Sequence, residues 1–189
     1  EEHLRKQNLP YKIFGGLSFY QRKEVKDILG YLRLTVNERD DEALKRIINY
    51  PKRGIGKTTL DQIAELAVNQ GVSMWAVLTS GMIPVKGKLQ AFIQMIEGFK
   101  RKAAESNAHE VAIMVARESG IYEELRQDPS IEGISRLENA NALLDGIKEF
   151  VENDNADEGT TDRSLAAYLS NIALLTDQDE NKEEEPDYI

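Results

Sequence analysis

Residues 53–59 read RGIGKTT, and the final GKTT is the ending of a nucleotide-binding phosphate loop. Such a loop cradles nucleotide phosphates with backbone N–H groups and sets a lysine against them. Its first glycine would fall at Pro51, which has no N–H to offer and cannot adopt a positive φ. The loop should also follow a buried strand, whereas Leu44, Ile47 and Ile48 recur at helical spacing. The pattern therefore argues against an NTPase.

The same glycines favour a helix-hairpin-helix that binds backbone phosphates of DNA. The predicted first helix is 41–49, the hairpin is 50–56 (YPKRGIG), and the second helix starts near Thr58. Glycines at positions 54 and 56 permit a tight turn with positive φ, and Ile55 is expected to point inward. Free N–H groups at the start of the second helix would face a phosphate with the helix dipole behind them.

Cationic and hydroxyl side chains complete this predicted site. The candidate DNA-binding residues are Lys52, Arg53, Gly54, Ile55, Gly56, Lys57, Thr58 and Thr59. None of these contacts reads a base edge, so binding would be independent of DNA sequence. The alternative that stays open is a plain turn between packed helices with incidental basic residues on its surface.

The charge distribution agrees with a local phosphate site. The net charge of −9 argues weakly against nucleic acid as a partner. However, residues 1–60 carry 13 Lys and Arg against 8 Asp and Glu, whereas the remainder carries 11 against 25. Phosphate contacts depend on local basic patches rather than on the total charge, and the glycine turn lies in the basic part.

Between its ends the chain has the pattern of an all-α protein. Val25, Ile28, Leu29 and Leu32 recur at helical spacing, and no alternation of strands and helices is present. Further helices are predicted over 73–80, 86–106, 108–118, 135–153 and 163–175. The expected fold is an irregular multi-helix subdomain that contains a helix-hairpin-helix, with a short orphan strand near the N-terminus, in the stretch LPYKIFGG.

Several classes of protein and site are disfavoured by composition. The chain has no Cys, and His3 and His109 are too few and too far apart for a histidine metal site. No apolar run approaches the length needed to cross a bilayer, so no membrane partner is expected. No motif places two acid or base side chains together, and we therefore predict no catalytic and no metal residues.

Three stretches resemble the UvrD/PcrA/Rep family of superfamily 1 DNA helicases. Two of them are PYKIFGGLSFYQRKEVKDILGYLRL (10–34) and NERDDEALKRIINYPKRGIGKTTLDQIA (37–64). The third, SRLENANALLDGIKEF (135–150), resembles the Arg-Leu-Glu-Asn segment of that family. The resemblance runs across nearly the whole chain and is strongest over 10–66.

The resemblance implies that the chain is the 2B subdomain, a helical insertion in the second motor domain. On this interpretation residues 1–16 are a remnant of the adjoining 2A motor subdomain, 17–176 form the helical 2B subdomain, and 177–189 are an acidic linker returning to 2A. The residues Lys52 to Thr59 match the glycine hairpin with which the family grips duplex DNA ahead of the fork.

The resemblance also implies a parent protein that unwinds DNA with 3′-to-5′ polarity, using ATP and Mg. Its phosphate loop, magnesium carboxylates and arginine finger lie outside this chain, so we expect no enzyme activity and no cofactor here. The implied partners are duplex DNA near a single-strand junction and the motor subdomains in cis. The implied location is the bacterial cytoplasm, with association to the nucleoid on DNA. A rival interpretation is a protein-interaction module that docks repair or transcription proteins.

A few other side chains have both a structural and a functional interpretation. Phe19 and Tyr20 could touch nucleic acid, but packing is favoured because aromatic anchors are commonly buried. Trp75 is expected in the core. Arg136 and Glu138 are expected to form an ion pair or a helix contact.

Overall fold

The computed structural model describes residues 17–152 and 162–183 of the chain. Within these ranges all regular structure is helical and no strand occurs, which confirms the all-α fold class. The helices are α1 (Leu17–Tyr20), α2 (Lys23–Val36), α3 (Asp41–Ile47), α4 (Lys57–Gln70), α5 (Met74–Thr79), α6 (Lys88–Glu105), α7 (Ala108–Glu118), α8 (Ile121–Arg126), α9 (Ile131–Glu152) and α10 (Leu165–Glu183). None of them is long and apolar enough to cross a membrane.

The centre of the molecule is α2. It packs against α1, α3, α6, α7, α9 and α10. Most of its residues are therefore buried around the whole circumference of the helix, including the polar residues Glu24, Asp27 and Thr35. The buried carboxylate of Asp27 accepts from Arg46 Nε at 2.8 Å and from Lys23 Nζ at 2.7 Å. A buried charge needs such partners, and here the pairing ties α2 to α3.

The close approach of α3 to α2 depends on Gly30. A Cβ at this position would lie 2.8 Å from Cγ2 of Ile47, which is too close for two carbon atoms. Ile47 itself is fully buried at the last turn of α3. Asp40 caps the start of α3 by accepting from the N–H of Ala43 at 2.9 Å. The start of α3 is therefore fixed by a cap, and its end is fixed by packing on α2.

The predicted helices agree with the observed ones to within about two residues at their ends, apart from four larger differences. The sequence analysis missed the short helices α1 and α8, and α9 begins at Ile131 rather than at 135. α10 continues through 177–183, so the expected boundary at 176 falls inside a helix. Acidic residues without apolar spacing indicated a linker there, but they are compatible with a helix that extends from a packed segment. The predicted N-terminal strand lies outside the described residues.

Candidate phosphate-binding site between α3 and α4

The connection between α3 and α4 is shaped by the side chain of Asn49. Its Oδ1 accepts from the backbone N–H of Arg53 at 3.0 Å and from that of Ile55 at 3.1 Å. The Ile55 side chain is buried at 6% exposure, as the sequence predicted. Gly54 lies between the two N–H donors with φ of 71°, a left-handed conformation that favours glycine. One amide oxygen and one buried side chain thus fix the segment 50–56, which we call the glycine segment.

The guanidinium group of Arg53 points into the protein rather than towards solvent. Its Nη1 donates to the carbonyl oxygen of Ile47 at 3.0 Å and to that of Pro51 at 3.2 Å. Its Nη2 donates to the hydroxyl of Tyr31 at 2.6 Å and to the carbonyl oxygen of Ser119 at 2.8 Å. These acceptors come from α2, the end of α3, the glycine segment and the end of α7. Arg53 therefore holds the glycine segment to the core.

The hydroxyl of Tyr31 is the second internal support. It donates to the carbonyl oxygen of Tyr50 at 2.5 Å, while it accepts from Arg53. The ring is fully buried on α2. Burial raises the pKa of the Tyr31 phenol to about 12, against the smaller opposing effect of the Arg53 charge. The phenol is consequently a neutral donor at physiological pH.

The remaining predicted residues lie on the outer side. Lys52, Gly54, Gly56, Lys57 and Thr58 are exposed. Thr59 is half-buried. Of the eight predicted residues, five are thus exposed, Thr59 is half-buried, and the side chains of Arg53 and Ile55 face the interior.

The start of α4 has free N–H groups, as expected for an anion site. Gly56 occupies the N-cap position, no side chain caps the helix, and its first turn contains no acid. The expectation of a positive φ at Gly56 was wrong, because its φ of −74° and ψ of 158° are ordinary extended backbone. A Cβ on Gly56 would meet nothing within 4 Å. Its bare backbone leaves the helix N-terminus open to an approaching group.

Lys88 at the start of α6 belongs to the same surface, although the sequence analysis did not identify it. Its Nζ lies 2.5 Å from the position that a Cβ on Gly54 would occupy, and its Cε and Cδ lie 3.7 and 3.8 Å from that position. The only signal in the sequence is the run Lys86-Gly87-Lys88, which resembles any exposed basic loop. The contact depends on how α6 packs against α2, which no local pattern encodes.

Three other residues singled out in the sequence have structural roles. Phe19 and Trp75 are buried at 4% and 2% exposure, so packing is the correct interpretation of both. Arg136 pairs with Asp128 at 2.7 Å rather than with Glu138, which is exposed. Among the described residues, no three His, Asp or Glu side chains are grouped so that they could hold a metal ion.

Comparison with known proteins places this arrangement in a family. Residues 1–189 match the family model described as the UvrD-like helicase C-terminal domain. The chain is 40% identical over 192 residues to the ATP-dependent DNA helicase PcrA of Bacillus subtilis, covering 98% of this chain and 25% of that protein. It is 35% identical over 185 residues to the protein of the same name from Staphylococcus aureus strain Mu50, covering 95% of this chain and 25% of that one.

The match has a defined extent. The chain spans about a quarter of the length of the curated relatives that it matches. The identities extend over nearly all of its residues, and the family model covers it from end to end. The chain therefore belongs to the UvrD-like helicase C-terminal domain family.

Proposed function

We propose that this chain is the 2B subdomain of an ATP-dependent 3′-to-5′ DNA helicase and that it grips duplex DNA. The glycine segment and the first turn of α4 bind backbone phosphates independently of sequence. The observation that supports this most is that internal and exposed residues of this stretch have different positions. Arg53 and Ile55 hold it from inside, and Lys52, Lys57, Thr58 and two glycines face outward.

The chemistry of the outward side fits a phosphate. Uncapped N–H groups at the start of α4 donate to an anion, and the helix dipole adds partial positive charge there. The lysines at 52 and 57 supply full charges, and the hydroxyl of Thr58 supplies a further donor. The glycines carry no side chain that would keep a DNA backbone at a distance. A rigid support matters because a preorganised site loses less conformational entropy on binding.

The domain assignment and the chemistry of the whole protein follow as part of the proposal. Residues 1–16 and 177–189 connect 17–176 to the 2A motor subdomain, which acts in cis. ATP and Mg bind to the motor in the parent protein, and this chain contributes no catalytic residue. The partner is duplex DNA near a single-strand junction, in the bacterial cytoplasm. A grip on the duplex that moves with the subdomain would couple motor movement to the fork and regulate it.

The test is a salt titration of duplex binding by fluorescence anisotropy, starting at low ionic strength. The variant is Lys52→Ala/Lys57→Ala, and the matched control is Lys45→Ala/Lys148→Ala, whose lysines pair with Glu42 and Glu152 elsewhere on the surface. Loss of two phosphate contacts should lower the slope of log K against log salt by about 1.8. GC-rich and AT-rich duplexes should lose affinity equally.

Arg53 is left intact in this test because its removal would loosen the glycine segment as well as remove a charge. Equal salt slopes for the wild type, the variant and the control would exclude the site. An affinity loss confined to one duplex sequence would exclude the sequence-independent mode of binding.

A second candidate function is docking of repair or transcription proteins. Ile131 and Ile134, one turn apart at the start of α9, are 88% and 52% exposed. Single exposed apolar residues are normal on protein surfaces, whereas two neighbouring ones offer an anchor for a partner. The absence of duplex binding at low salt, together with capture of a repair protein that is lost in Ile131→Ser/Ile134→Ser, would favour this candidate over the first.

A further inference from the structure

The position of Lys88 against Gly54 is the strongest unexplained feature of the surface. Three successive side-chain atoms of Lys88, from Cδ to Nζ, are the nearest neighbours of the place that a Cβ on Gly54 would take. A side chain of α6 thus occupies the space that Gly54 leaves free. Both residues are exposed, so this contact lies at the surface of the molecule.

The ammonium of Lys88 differs from those of the other lysines along α6. Lys100 pairs with Glu38 and Glu97, and Lys102 pairs with Glu110 at 3.0 Å. Within the described ranges Lys88 has no such carboxylate partner. The methylene groups of Lys88 lie beside Gly54, and its unpaired ammonium group can bind an anion.

We propose that Lys88 is a further phosphate-binding residue, supplied by α6 to the surface formed by the glycine segment. This inference rests on the proposed function, since the ligand is the same duplex backbone. It assigns a second role to Gly54, which provides the positive φ of the turn and also leaves room for the Lys88 ammonium. The phosphate-binding surface then consists of two chain segments, and α6 fixes part of its charge.

The test compares Lys88→Met with Lys102→Met in the same anisotropy titration. Methionine keeps an unbranched stem and removes the charge, and both positions lie on one helix. Lys102 is about 21 Å further along the axis, from 14 residues at a rise of 1.5 Å. We expect Lys88→Met to lower the salt slope by about 0.9, which amounts to about eightfold weaker binding at 0.1 M salt if the two proteins bind equally at 1 M. Lys102→Met should bind as the wild type does, and Lys88→Arg should retain most of the affinity.

The outcomes separate this inference from the proposed function. If Lys52→Ala/Lys57→Ala lowers the slope while Lys88→Met behaves as Lys102→Met does, the role of Lys88 is excluded and the site stands. If none of the variants changes duplex binding, both are excluded. Equal losses in Lys88→Met and Lys102→Met would show a general effect of net charge and would also exclude a specific contact. Thermal unfolding of each variant establishes that the fold is retained.

Discussion

Arg53 and Ser119 lie 66 positions apart in the chain, and Nη2 of the first donates to the carbonyl oxygen of the second at 2.8 Å. This hydrogen bond links the glycine segment to the end of α7. Pro51 lies on the same junction, with its Cγ 3.7 Å from the place of a Cβ on Gly120. Contacts between distant parts of the chain therefore support the exposed surface that we propose for phosphate binding.

We predict that Arg53→Ala lowers the free energy of unfolding by about 2–3 kcal/mol, because it removes charged donors from several carbonyl oxygens. Lys52→Ala, at the exposed neighbouring position, should change it by less than about 0.5 kcal/mol. Urea denaturation, fitted with the same m value for both variants and the wild type, measures both changes. Similar values for the two variants would contradict an internal role for Arg53.

Substitution of Asn49 should separate stability from DNA binding. Asn49→Ala leaves two backbone N–H groups without their acceptor and should cost about 1–3 kcal/mol of stability. Asn49→Asp keeps an acceptor oxygen and should be nearly as stable as the wild type. Its added negative charge should nevertheless weaken duplex binding at low salt. Chemical denaturation and anisotropy on the same samples check both expectations, and equal destabilisation by the two substitutions would refute them.

The raised pKa of Tyr31 predicts a stability change at high pH. An unfolded tyrosine ionises near pH 10, whereas Tyr31 keeps its proton to about pH 12 in the folded chain. The folded state binds more protons between these values, so its stability is intact below about pH 10 and falls as the pH rises towards 12.

Tyr31→Phe tests the assignment of that change. The substitution should destabilise the chain by about 1–2 kcal/mol at pH 8, because the partners at Tyr50 and Arg53 lose the hydroxyl. The difference from the wild type should shrink between about pH 10 and 12, since Phe does not titrate. Two parallel curves of stability against pH would show that another group is responsible.

Two glycines with positive φ offer a matched comparison. Gly54 and Gly81 have φ of 71° and 80°, so alanine at either should cost about 1–2 kcal/mol of stability. A Cβ on Gly81 meets nothing within 4 Å, whereas one on Gly54 would displace the Lys88 ammonium. We therefore expect only Gly54→Ala to weaken duplex binding as well. Equal DNA affinities of the two variants, with equal loss of stability, would contradict this.

Local patterns predicted much of the architecture. Apolar residues at helical spacing predicted the all-α class and most helix positions, because the buried face of a helix repeats with its period. Pro51 argued against a nucleotide loop, and the glycine and lysine content of the next residues indicated an anion site. The short helix α8 was missed, since six residues carry too little periodicity to be recognised.

The sequence by itself determined the helical class. It also predicted a connection after α3 and a phosphate site from Lys52 to Thr59, and that site stays a prediction. Only the tertiary structure decided which of these face outward. Arg53 and Lys57 are alike as cations in a sequence, yet one donates to four internal oxygens and the other is exposed. The acceptors of Arg53, and the place of Lys88 beside Gly54, come from helices that meet only after folding. Spacing along a chain carries information about one helix, whereas the direction of a charge depends on what the other helices place around it.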